Sequence, residues 1–96
     1  MNYSFHPHAE KELEAIETHY DSLGEGLGNR FRSDIESTIS RILKFPNAWQ
    51  PLSPIVRRCR LTEFAYGIVY QIKPREIYLL AVMHHHRKPD YWTYRI

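Results

Sequence analysis

Ninety-six residues, 43% hydrophobic and 25% charged, make a single small globular domain spanning 1–96 and exclude a disordered tail. The lone cysteine, Cys59, excludes an internal disulfide, no apolar run nears the roughly 18 residues of a membrane span, and Met1–Pro7 lacks a signal-peptide pattern, so a cytoplasmic protein is expected. The net charge of +2 is uneven: residues 1–54 hold five Lys/Arg and eight Asp/Glu (−3), residues 55–96 eight and three (+5), which suggests two surfaces with different partners.

Tyr3 and Phe5 alternate with polar neighbours and predict a short first strand. Pro7 then stands where the first turn of a helix tolerates proline. Ala9, Leu13, Ile16 and Tyr20 form one apolar stripe at helical spacing, while Glu10, Lys11, Glu12, Glu14, Glu17 and Asp21 occupy the other faces. Gly24, Gly26 and Gly28 break the pattern, because glycine weakens a helix interior and favours turns. A second stripe, Leu27, Phe31, Ile35, Ile39, Ile42 and Leu43, predicts a second helix closed by Pro46, since the residue before a proline is driven out of the helical region. Together they predict a helical hairpin.

Asn47–Pro54, with Trp49 and two prolines, reads as a loop, and beyond it the period changes from helical to alternating. In Val56–Leu61, Cys59 and Leu61 share one face while Arg58 and Arg60 share the other. In Tyr66–Ile72, the residues Tyr66, Ile68, Tyr70 and Ile72 lie together. Lys73-Pro74-Arg75-Glu76 is a turn, and Ile77–Met83, almost wholly apolar, is a central strand covered on both faces. Short links imply an antiparallel meander. The polar, aromatic tail from His84 to Trp92 has room for a short helix starting at Pro89. The expected fold is α+β, a helical hairpin packed on a small antiparallel sheet in the order β-α-α-β-β-β.

Phe64-Ala65-Tyr66-Gly67-Ile68-Val69-Tyr70 resembles the Phe-Pro-Tyr-x-Ile-x-Tyr strand of the RelE/ParE superfamily of toxins, with Ala65 in place of the usual proline. Ala81-Val82-Met83-His84-His85-His86-Arg87-Lys88-Pro89 is similar to the Ala-Val-x-His-x-x-Arg-x-Pro ending of the ParE-like, plasmid-stabilisation branch, and the paired Arg57-Arg58 suits the same branch. The resemblance implies a growth-inhibiting toxin of a type II toxin–antitoxin system, silenced by a co-expressed antitoxin. In ParE-like members the target is DNA gyrase. In RelE-like members the toxin enters the ribosome and cleaves messenger RNA. An antitoxin segment usually covers the helices and sheet, which here implicates Glu10, Glu14, Glu17 and Tyr20.

The residues leave three readings open. Arg58 and Arg60 project from one sheet face and are expected to converge with Arg87 and Lys88, giving guanidinium groups suited to an anionic partner or to phosphate. The alternative is a solvated strand face that protects the sheet. With His84, His86, Tyr91 and Trp92 these cations form the expected target-binding set. If the chain is a nuclease, Arg58, Arg60, Arg87 and Tyr91 are its candidate residues, and Tyr91 or a tail histidine must move the proton, because arginine stays protonated. RelE-type nucleases carry an arginine at the position of Gly67 and lysines at those of Arg58 and Arg60, which argues for a binder that is not an enzyme. The third reading is a small basic RNA-binding module outside the toxins. His84, His85 and His86 point alternately to opposite sides of an extended chain, so at most two share an ion, and neither metal nor cofactor is expected.

Overall fold

The two apolar stripes become two helices in the computed structural model, which describes residues 1–88 and 90–96. After the strand β1 (Asn2–Phe5), helix α1 spans Pro7–Leu23 and helix α2 spans Leu27–Lys44. Pro7 occupies the first turn of α1, and the His6 ring caps it, accepting the His8 N–H at 3.0 Å. The turn between the helices requires glycine at one position: Gly26 caps α2 with φ of 81°, a left-handed conformation costly for other residues. α2 ends at Phe45, ahead of Pro46, as the proline dictates.

The remaining strands are β2 (Gln50–Pro51), β3 (Val56–Arg60), β4 (Tyr66–Ile72) and β5 (Glu76–His84). They assemble as β1-β5-β4-β3-β2. The α+β class and the hairpin-on-sheet architecture are as the sequence predicts, with two differences of detail. β1 runs parallel to β5, so the sheet is mixed, because the helical hairpin and three strands intervene before the chain returns beside β1. The proline-rich loop also supplies β2, two residues that pair with Arg57 and Arg58 of β3. β5 is thus interior, between β1 and β4, which accounts for its apolar run.

Between Val69 and Tyr70 the register slips, so that Val69 faces Ala81, Tyr70 faces Leu79, and Leu80 is the extra residue of a bulge. The alternation puts two cores on the sheet. One lies beneath the helices, where Leu13, Phe31, Ile35 and Ile42 meet Ile68 and Tyr70. The other lies on the opposite face, where Val56, Val69, Leu80 and Met83 pack under Trp92. The tail therefore does the covering that the apolar β5 requires on its second face. It does so through turns and a 3₁₀ segment at Thr93–Arg95; Pro89, where a helix was expected to start, lies outside the described residues.

Asp34, on the buried face of α2, fastens the β3–β4 connection. Its carboxylate accepts the backbone N–H groups of Thr62 at 3.1 Å, Glu63 at 2.7 Å and Phe64 at 3.2 Å. Replacing Asp34 by alanine leaves three donors without their acceptor, each a partly buried group. The expected loss is about 2–4 kcal/mol of folding free energy, read from the urea midpoint, and a loss below about 0.5 kcal/mol refutes the anchoring role.

Candidate functional site

β3 carries the basic face. Arg58 pairs across to Val69 and Arg60 to Gly67, so both side chains leave the sheet on the side away from the helices. The Arg58 stem lies over Gly67, where an added Cβ would stand 3.2 Å from its Cγ and 3.3 Å from its Cδ. Its Nη2 donates to Gln50 Oε1 at 2.7 Å, and its Nε is buried without a partner. Burial and then the Arg60 charge lower its pKa, yet a guanidinium remains protonated at any physiological pH. Among the described residues the ion pairs are Arg30–Glu63, Arg32–Glu17 and Arg95–Glu12, so Arg58 and Arg60 have no carboxylate neutralising them.

His85, which the sequence reading did not select, joins this face. Its Nε2 lies 3.1 Å from the Tyr66 carbonyl oxygen, so Nε2 carries the proton and Nδ1 is left as an acceptor. Burial, together with the Arg60 and Arg58 charges, lowers its pKa despite the opposing hydrogen bond to Tyr66, which keeps the ring neutral near pH 7. The sequence reading places His84 and His86 in the target-binding set instead. The position of His85 continues the alternation of β5: Val82 lies on the helix side, Met83 in the second core, His84 against Tyr66, and His85 on the arginine side.

The expected convergence of all the cations does not occur. The Arg87 guanidinium lies 4.1 Å from the centre of the Tyr91 ring, in a cleft lined also by Glu12, Ile16, Tyr66, Val82 and His84. Tyr66, Ile16 and Val82 belong to the helix side of the sheet and Tyr91 packs against the second core, so the cleft opens at the β5 end of the sheet and not over β3, which carries Arg58 and Arg60. His84 packs edge-on against Tyr66 with ring centres 5.0 Å apart, and its Nδ1 accepts the His86 N–H at 3.1 Å. His86 and Lys88 are exposed. Trp92, expected to meet a target, is only 5% exposed and is a core residue. Tyr91 is half-buried against Glu12, and both the burial and the carboxylate raise its phenol pKa, so it is no base at neutral pH. Among the described residues, no group of three or more His, Cys, Asp or Glu side chains is placed to hold a metal ion.

On α1 the expected antitoxin set also divides. Glu10 and Glu14 are exposed and unpaired among the described residues. Glu17 is held by Arg32 of α2 at 2.9 Å. Tyr20 packs between Phe31 and Phe64, with ring centres 5.5 and 4.8 Å away, and belongs to the core more than to the surface.

Glu12 has the largest role on this helix, and composition gave no sign of it. Arg95 grips its carboxylate with both Nη atoms, at 2.9 and 3.0 Å, while Glu12 Oε1 also accepts the Val82 N–H at 3.0 Å. Arg95 Nη1 in turn donates to the Leu80 carbonyl at 2.9 Å. β1 stops pairing with β5 at Leu79, and His6 N–H makes the last backbone bond of that edge. Beyond it, one carboxylate and one guanidinium take over the work of a strand. Burial alone would lower the Arg95 pKa, but the bonds to Glu12 and Tyr94 outweigh it and raise it.

Fold and site together define a small α+β domain, with a basic sheet face, an acidic helix and a tail latched across the sheet. No helix among the described residues is long and apolar enough to cross a membrane. Residues 3–89 match the model of the family described as the ParE toxin of type II toxin–antitoxin system, parDE, and the chain belongs to that family. A solved structure described as the chromosomal ParDE TA system from P. aeruginosa contains a chain of similar fold. Its TM-score is 0.75, with 23% identity over 88% of this chain and 95% of that chain. No curated protein sequence matches the chain. Membership of a toxin family sets aside the reading as an RNA-binding module outside the toxins.

Proposed function

We propose that this ParE-family chain inhibits growth by binding DNA gyrase through the Arg58–Arg60 face, without catalysing a reaction, and that a cognate antitoxin neutralises it. The separation of charge from proton transfer carries this reading: Tyr91, with its raised pKa, is engaged by Glu12 at the β5 end of the sheet, whereas Arg58 and Arg60 stand on β3, with β4 between. The space over Gly67, which a nuclease of the RelE kind fills with arginine, is taken by the Arg58 stem. Mixing the purified chain with gyrase and relaxed plasmid tests the proposal, with translating ribosomes as a separate arm. Loss of supercoiling with intact messenger is the expected result. Cleavage in the ribosomal A site with unimpaired supercoiling overturns it.

One observation favours the second reading, a ribosome-dependent endoribonuclease. A neutral His85 beside two guanidinium groups could take the proton of a 2′-hydroxyl while the arginines stabilise the charge gathering on phosphorus. Of the expected acids, Tyr91 is hydrogen-bonded to Glu12 and His84 packs against Tyr66, so neither is presented beside Arg58 and Arg60 on β3.

The antitoxin segment that meets α1 is expected to be basic, because Glu10 and Glu14 present unpaired carboxylates there. Charge of this kind governs association rate more than affinity. Changing Glu10 and Glu14 together to lysine should slow association about tenfold at low salt, measured by stopped flow. A rate indifferent to both the substitutions and salt places the antitoxin elsewhere.

A further inference from the structure

We infer that Gln50 and Gly67 are positioning residues that hold the Arg58 guanidinium ready for a carboxylate on the target protein, an inference that rests on the target-binding reading above. An exposed arginine samples many rotamers, and ordering it on binding weakens the complex. Here two neighbours have already restricted it. Gly67 is buried, and its backbone does not need glycine, since the only positive φ among the described residues belongs to Gly26. What needs glycine is space: the Arg58 stem lies against the position a Cβ would take, at 3.2 and 3.3 Å. A Cβ there makes the stem give by a few tenths of an ångström and loosens its seat against the sheet.

Gln50 fixes the other end. It stands directly opposite Arg58 in the β2–β3 pairing and accepts one Nη2 hydrogen bond at 2.7 Å. The acceptor is a neutral amide, so it orients the cation without quenching its charge. A glutamate would orient and neutralise together. The single bond leaves most of the Nη donors for a partner, and a fork of parallel N–H groups matches a carboxylate. With Arg60 beside it and no carboxylate of this chain paired to either among the described residues, the face is poised for an acidic partner. The short β2, otherwise an incidental edge, thereby acquires a purpose.

Two measurements on the intact chain test this. Nitrogen-15 relaxation of the Arg58 Nε–Hε group should show an ordered side chain in the wild type and a mobile one in Gln50→Ala and Gly67→Ala. An Arg58 already mobile in the wild type overturns the inference. Gyrase affinity is then followed against salt, with thermal melts confirming that each variant is folded. Arg58→Ala should weaken binding and flatten the salt dependence. Gln50→Ala keeps the charge, so it should weaken binding roughly three- to tenfold with the salt dependence unchanged, whereas Gln50→Glu should keep Arg58 ordered and flatten the salt dependence. If Arg58→Ala weakens binding while Gln50→Ala and Gly67→Ala bind as wild type, the positioning role falls and the binding face stands. If Arg58→Ala binds as wild type, the binding face itself falls and the inference with it.

Discussion

A Glu12→Ala variant should lose about 3 kcal/mol of folding free energy, near the low end of the range for breaking a buried ion pair. The side chain of Arg95 is 6% exposed and that of Glu12 is 21% exposed, so the guanidinium loses its partner where little water can replace it. The Val82 N–H loses its acceptor in the same step. The lower end is appropriate because Glu12 keeps some contact with solvent. For a domain of this size the loss corresponds to a fall in Tm of roughly 12–24 °C, a large part of a net stability of about 5–15 kcal/mol. Replacing both residues by methionine should cost less than Glu12→Ala, since no buried charge is then stranded. Calorimetry of the three proteins checks this, and a Glu12→Ala midpoint within about 3 °C of wild type shows that the tail is held by Trp92 alone.

The second large effect separates binding from catalysis. For a binder, Arg58→Ala with Arg60→Ala should reduce gyrase affinity at least about thirtyfold, the scale for truncating desolvated charges at an interface. Tyr91→Phe should leave growth inhibition within about twofold, because the phenol faces Glu12 and not the basic face. For a nuclease, loss of the proton-accepting ring in His85→Gln should cost about 10²–10⁴-fold in cleavage rate and nearly abolish toxicity. The expected outcome is that the arginine pair dominates and His85→Gln retains most inhibition. A His85→Gln protein that is folded, binds gyrase as wild type and is harmless on expression would replace the gyrase proposal with the nuclease reading. Arg60 is the right partner for Arg58 in this test, since Arg60 shares β3 with it, whereas Arg87 stacks on Tyr91 in the cleft at the β5 end of the sheet.

Local pattern made much of the fold legible. The helical spacing of Leu13 and Ile16, then of Phe31, Ile35 and Ile39, predicted two helices that exist, and Pro7 and Pro46 marked their outer limits. The change to alternation placed Arg58 and Arg60 together, opposite Cys59 and Leu61. The site was less legible where it depends on chain reversal. Arg87 and Arg58 look like allies in sequence because both are cations of the basic second half, but the turn after His84 carries Arg87 onto Tyr91 at the β5 end of the sheet, away from β3.

Length, periodicity and charge thus determined the class of fold, the faces of β3 and β4, and an acidic helix paired with a basic sheet. These are properties of neighbours along the chain, set by backbone geometry and by side-chain polarity. Only the tertiary structure decided that β1 lies parallel beside β5, that Glu12 and Arg95 close the edge β1 leaves open, and that Trp92 caps a second core. Glu12 and Arg95 are 83 residues apart, and Gln50 meets Arg58 through a two-residue strand inside a proline-rich loop. Each is a polar group whose value depends on desolvation and on a partner distant in sequence, and residue type carries no signal for either.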